Sequence, residues 1–245
     1  MHGDGLFDGT YEFLANQGIS SKKGSVQLLM DGTDAQALLS QAGTRGNAAV
    51  VILKCGEGKY AFQRKTPGYP IASQVGGLCL FGGNKETCDA SARDTVIREL
   101  HEELPTAWAN KVCASLKAFG VYVICADELV MKDRPTYSFV CVVFYGTLLP
   151  CLSASDDIVM EGELCVHSVD ELSNEPFSWG YDLPFKEYLQ EIENIDGKAV
   201  ARHVPEIKRI PTCSVYRLRP GAQLGVYDQS LYDVNAEHSL QDVSE

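Results

Sequence analysis

Residues 82–106 read GGNKETCDASARDTVIRELHEELPT, and their reading decides the rest of the chain. In Arg98-Glu99-Leu100-His101-Glu102-Glu103 the glutamates fall at i, i+3 and i+4. At about 100° per residue this spacing puts them on one face of a helix. Val96, Ile97, Leu100 and Leu104 fall on the opposite side, which predicts a helix packed onto a sheet. Carboxylates this close repel by roughly a few tenths of a kcal/mol per pair, so an offsetting cation is expected. Hard oxygen donors suit Mg²⁺, which keeps positions for water and phosphate oxygens.

The flanks of the stretch carry their own signals. Ser91, three residues before Asp94, is a capping-box-like start that predicts a helix from about Ala92. Pro105 ends it, because proline has no N–H for the next backbone bond. Gly82-Gly83 closes a short apolar run, and paired glycines let backbone turn tightly and approach a ligand. The unit is therefore strand, glycine turn, loop, and a helix bearing acids.

This stretch resembles the Nudix box, in which a glycine is followed by a spaced acid. Further on come Arg-Glu, an aliphatic residue, any residue, Glu-Glu, any residue, Gly and an aliphatic residue. Gly83, Arg98, Glu99, Leu100, Glu102 and Glu103 match by identity or class. Asp89 stands where the family has Glu, one extra residue (assigned to Ala90) lengthens the gap to Arg98, Pro105 replaces Gly, and Thr106 replaces the aliphatic residue.

The resemblance implies an α/β fold, an α/β/α sandwich with a mixed β-sheet, over residues 45–196. Residues 1–44 would be an N-terminal extension and 197–245 a C-terminal one whose end frays. It also implies a metal-dependent pyrophosphohydrolase acting on a nucleoside diphosphate linked to another moiety. Nucleotide sugars, dinucleoside polyphosphates, coenzyme A and nucleoside triphosphates all fit that class. Residues 73–83 are loosely similar to the coenzyme A-cleaving branch. By the same resemblance, Glu99, Glu102 and Glu103 would bind Mg²⁺ or Mn²⁺, and Glu99, Glu102, Arg98 and Asp89 would be catalytic. Asp89 would orient Arg98 or assist a metal, and Gly82 and Gly83 would face the substrate phosphates. The departures from the box leave a second reading open: a catalytically weak or inactive Nudix-fold protein that binds a nucleotide or a protein partner.

Outside the box, residues 48–54 and 59–64 read as a hairpin around Cys55-Gly56-Glu57-Gly58. Residues 118–124, 137–148 and 162–168 read as further strands, the second one central because residues 139–144 lack polar alternation. Helices are expected near residues 183–192 and, shorter, at 34–39. The formal net charge of −12 argues against nucleic acid as a partner. A phosphorylated small molecule remains compatible where cations screen the site, and a homodimer is left open. Nine cysteines, odd in number and without a Cys-x-x-Cys pair, predict free thiols in a reducing, cytoplasmic setting. No secretory signal or membrane span is read.

Asp156, Asp157, Glu161 and Glu163 are candidates for a further acid from a later loop, although solvated loop acids are the commoner case. Trp179 and Tyr181, like Tyr60 and Phe62, could stack on a base, but core packing is the more frequent fate of such aromatics. His101 falls away from the glutamates and reads as a surface residue.

Overall fold

The computed structural model describes residues 29–30, 44–126, 137–148, 162–193, 195 and 213–218. Its centre is β2 (Thr44–Gly56), whose residues 48–53 divide by parity. Ala48, Val50 and Ile52 enter one hydrophobic core; Ala49, Val51 and Leu53 enter the other. A strand buried on both faces has no polar alternation to show. The same holds for β7 (Tyr137–Thr147), where Cys141 and Val143 point to the first core and Val142 and Phe144 to the second.

β2 runs parallel to β7 and antiparallel to β3 (Lys59–Lys65), so the sheet is mixed. Glu57-Gly58 makes the β2–β3 turn, with Gly58 at φ 60°, a left-handed conformation that glycine adopts freely. Two short strands follow, β4 (Leu78–Cys79) beside β3 and β5 (Phe81–Asn84) beside β2. Later come β6 (Lys117–Ala126), antiparallel to β7, and β8 (Gly162–Ser168), antiparallel to β3.

Helices cover both faces. α1 (Ala92–Glu103) and α2 (Thr106–Ser115) close the second core through Val96, Leu100, Ala109 and Val112. α3 (Asp182–Glu191) closes the first, where Phe185 meets Tyr60 edge-on at 5.0 Å between centroids. The result is the expected α/β/α sandwich.

Two elements depart from the sequence reading. Pro105 ends α1, as expected, but it also begins α2, which the reading passed over. Its carbonyl accepts from the N–H groups of Trp108 at 2.8 Å and Ala109 at 3.0 Å. Proline is well suited to a helix start, where its missing N–H would have no partner. The sheet also extends beyond residues 45–196. β9 (Ser214–Leu218) pairs antiparallel with β6, and β1 (Leu29–Met30) pairs parallel with β9. Arg217 of β9 bonds Glu191 and lies 3.3 Å from buried Glu187 of α3, to which Tyr122 of β6 donates at 2.6 Å. The expected helix at 34–39 lies outside the described residues. Among the described residues, no cysteine forms a disulfide, and no helix is long and apolar enough to cross a membrane.

Candidate functional site

The site forms where β5 hands over to α1. Ser91 caps α1: its hydroxyl accepts the Asp94 N–H at 3.2 Å and donates to the Asp94 carboxylate at 2.9 Å. This stabilises the first turn, and one apolar stripe (Val96, Leu100) fixes the rotation of the helix. The glutamate face is thereby turned towards the Gly82-Gly83 segment.

Arg98 organises the acids. Its Nε and Nη2 grip both oxygens of Asp89 at 3.2 and 3.1 Å, and Nη2 also donates to the Asn84 carbonyl at 2.8 Å. Nη1 lies 3.0 Å from both Glu99 and Glu102. Such two-pronged contacts suit the rigid guanidinium fork, and the hydrogen bond to Asp89, more than any other influence, raises its pKa. Asp89 is buried, and burial alone would raise its carboxyl. The bonds from Arg98, from the Glu86 N–H at 2.9 Å and from Thr95 outweigh that and leave it below the usual carboxylate range. Of the two roles raised for Asp89, orienting Arg98 is the one these contacts describe.

Gly82 and Gly83, expected to form a turn, lie instead within β5, paired with Val50 and Ala49 of β2, and there they set the space. Gly82 has φ 124°, and a Cβ there would lie 2.2 Å from the Ala49 carbonyl oxygen. A Cβ on Gly83 would lie 2.5–2.8 Å from the Glu99 carboxylate, so the missing side chain is a cradle that Glu99 fills.

Glu103 faces inward, away from Arg98. It accepts from the Gly82 N–H at 2.9 Å and from the Gln63 side-chain amide of β3. Burial pushes its carboxyl up to about 7, against the lowering effect of those two bonds. In the unfolded chain a glutamate titrates near ~4.3, so between those values the folded state holds more protons. The Glu103 contribution to stability should therefore be full below about pH 4.3 and be lost as pH rises to 7. The residue is partly exposed, and with solvent screening the loss is about 2 kcal/mol. Chemical denaturation from pH 4.5 to 7.5, with chelator, should show this decline for wild type and a flatter profile for Glu103→Gln.

Glu99, Glu102 and Glu103 are hard donors on one helix face beside a glycine cradle, and in kind they suit a divalent cation. As the side chains stand, no three His, Cys, Asp or Glu are grouped to hold one among the described residues. The acids are instead shared between Arg98 and the Gly82–Gln63 pair. The other candidates fall elsewhere. Glu163 is exposed on β8 opposite Arg64, and His101 is exposed. Asp156, Asp157 and Glu161 lie outside the described residues. Tyr60, Phe62, Trp179 and Tyr181 are all buried in the first core. Trp179 holds a left-handed φ of 58°, with its backbone N–H on Gln74 at 2.7 Å and its indole N–H on Tyr69 at 3.1 Å. Gln63 and its neighbour Lys65 were missed. Nothing in the sequence singles them out, because Lys59 and Arg64 of the same strand are polar too.

No family model matches the sequence, and no curated protein matches it. Among solved structures, the dihydroneopterin triphosphate pyrophosphohydrolase of E. coli matches at 13% identity and TM-score 0.45, over 62% of this chain and 98% of that one. The MutT protein of Methanosarcina mazei Go1 matches at 13% and 0.43, over 62% and 97%. A Nudix hydrolase from M. smegmatis, RenU, matches at 16% and 0.37, over 62% and 89%. At these levels the functional reading rests on the site's own residues.

Proposed function

We propose that this chain is a Nudix-type hydrolase of phosphoric anhydride bonds: a Mg²⁺- or Mn²⁺-dependent pyrophosphohydrolase acting on a nucleoside diphosphate linked to another moiety. The observation that carries the reading is the single guanidinium of Arg98 holding Asp89, Glu99 and Glu102 together, on a helix that faces β5, where the missing Cβ of Gly83 makes room for Glu99. Glu99, Glu102 and Glu103 would hold the cation, which when bound neutralises phosphate oxygens and lowers the pKa of its water. Arg98 and Asp89 fix the angle at which Glu99 and Glu102 are presented. Gly82 and Gly83 serve the site by admitting the Ala49 backbone and the Glu99 carboxylate where side chains would stand. A phosphorylated small molecule in the cytoplasm is the partner this chemistry asks for.

One observation favours the second reading, a binding protein of low activity. Glu99 and Glu102 are both engaged by Arg98, so a cation must compete with a guanidinium for them. The test is cleavage of a panel of nucleoside diphosphate derivatives to the nucleoside monophosphate and its phosphorylated partner, followed by chromatography with Mg²⁺, Mn²⁺ or chelator. Turnover that needs metal and falls by about 10²-fold or more in Glu102→Gln is the expected result. Nucleotide binding without turnover of any compound would establish the binding protein instead.

A further inference from the structure

β3 contributes two side chains that the proposed chemistry leaves unused. Gln63 is 0% exposed and Lys65 6%, and they lie two residues apart, on one face of the strand. The Lys65 backbone is pinned on both sides: its N–H donates to the Gly77 carbonyl at 3.0 Å, and its carbonyl accepts from Gly76 at 2.7 Å. Its ammonium lies over the Tyr69 ring, 4.7 Å from the centroid, and donates to Gln63 Oε1 at 3.0 Å.

That last contact fixes an orientation. Lysine has donors and no acceptor, so only the carbonyl oxygen of Gln63 can face it. The Gln63 NH₂ must then point the other way, and there it meets Glu103 Oε1. The second oxygen of Glu103 takes the Gly82 N–H at 2.9 Å. A chain of hydrogen bonds thus runs from Lys65 through an amide that cannot flip to the last glutamate of α1.

We propose that Lys65 and Gln63 are positioning residues of the site: together they set the Glu103 carboxylate against the Gly82 N–H, the place from which it serves the cation. The inference rests on the reading of Glu103 as a cation donor. Groups that orient a metal-binding carboxylate from behind typically change metal affinity by about 10–100-fold when removed.

The experiment has two readouts, one of which needs neither metal nor turnover. Exchange of the Gly82 amide is followed by NMR with chelator, and Mn²⁺ affinity is measured by calorimetry. Lys65→Met has similar length and no charge, so the chain should fold while the Gln63 amide becomes free to turn. Gly82 exchange should then rise about ten-fold or more relative to Phe81, and Mn²⁺ binding should weaken about ten-fold or more. Lys65→Arg, which keeps the donors, should recover much of both. Gln63→Glu would set a carboxylate against Glu103 while still pairing with Lys65, and should produce the same losses in a folded chain. Either readout staying at its wild-type value in both Lys65→Met and Gln63→Glu overturns the proposal. Should wild type itself bind no Mn²⁺, the cation reading fails, and Gly82 exchange alone decides whether the pair positions Glu103.

Discussion

Arg98→Met should lower the unfolding free energy by about 3–5 kcal/mol, the range for removing one member of a buried charge pair. The cost arises mainly at Asp89, which is 6% exposed and would keep its bonds from Glu86 and Thr95 and a weak one from the Cys88 thiol. Glu99 and Glu102 would at the same time lose the cation between them. Arg98→Lys should recover only part of the loss, because one ammonium cannot bond both oxygens of Asp89 and two further carboxylates in a single geometry. Urea denaturation at pH 7 measures the effect, and its pH dependence identifies the source. Asp89 is held low in the folded state, so its contribution is present above the unfolded value near ~3.9 and is lost as pH falls through the folded one. In Arg98→Met that acid-side loss should be largely gone. A variant as stable as wild type, with the same acid profile, would mean that the pairing contributes little.

The two glycines of β5 should fail in opposite ways. Gly82→Ala places a methyl 2.2 Å from a backbone oxygen, at a φ of 124° that L-residues avoid. Backbone cannot move aside cheaply, so about 3 kcal/mol or more of stability should be lost, with a fall in melting temperature of roughly 6–12 °C. Gly83→Ala meets only the far end of the Glu99 side chain, which can swing away. Its melting temperature should stay within a few degrees of wild type. Any turnover should still fall by about 10²-fold, because a carboxylate displaced by an ångström no longer meets its partners. Equal effects of the two substitutions on stability would count against the cradle.

Much of the fold was legible because its signals are local. Ser91 and Asp94 mark the start of α1 and Pro105 its end, and each acts within one turn of its own position. The apolar run of residues 48–54 identified β2 as a strand, and the unbroken run of residues 139–144 identified β7 as one covered on both faces. α2 was missed because Pro105 was read only as a stop. The same lack of an N–H that ends one helix makes proline a good beginning for the next, and Ala109, Val112 and Leu116 carry the three-to-four spacing that would have revealed it. β9 was missed because strand pairing is a long-range event: its partner β6 lies about ninety residues earlier, and nothing local marks the match. Within the site, the acids, Arg98 and the glycines could be found from spacing alone. Gln63 and Lys65 could not be, since what matters in them is which atom of an amide faces which neighbour.

The pairing of β9 with β6 also decides how the chain can be divided. A fragment cut after residue 196 would keep every acid of the site and look complete as a sequence motif. It would, however, uncover the row of N–H and C=O groups that β6 now shares with residues 214–217. It would also remove the guanidinium of Arg217 from Glu187, an acid otherwise enclosed in the core. An apolar strand with an open side is a template for a second copy of itself. Such a fragment is therefore expected to come out of solution as filaments or precipitate, and trimming for crystallisation or display should spare the segment up to Leu218.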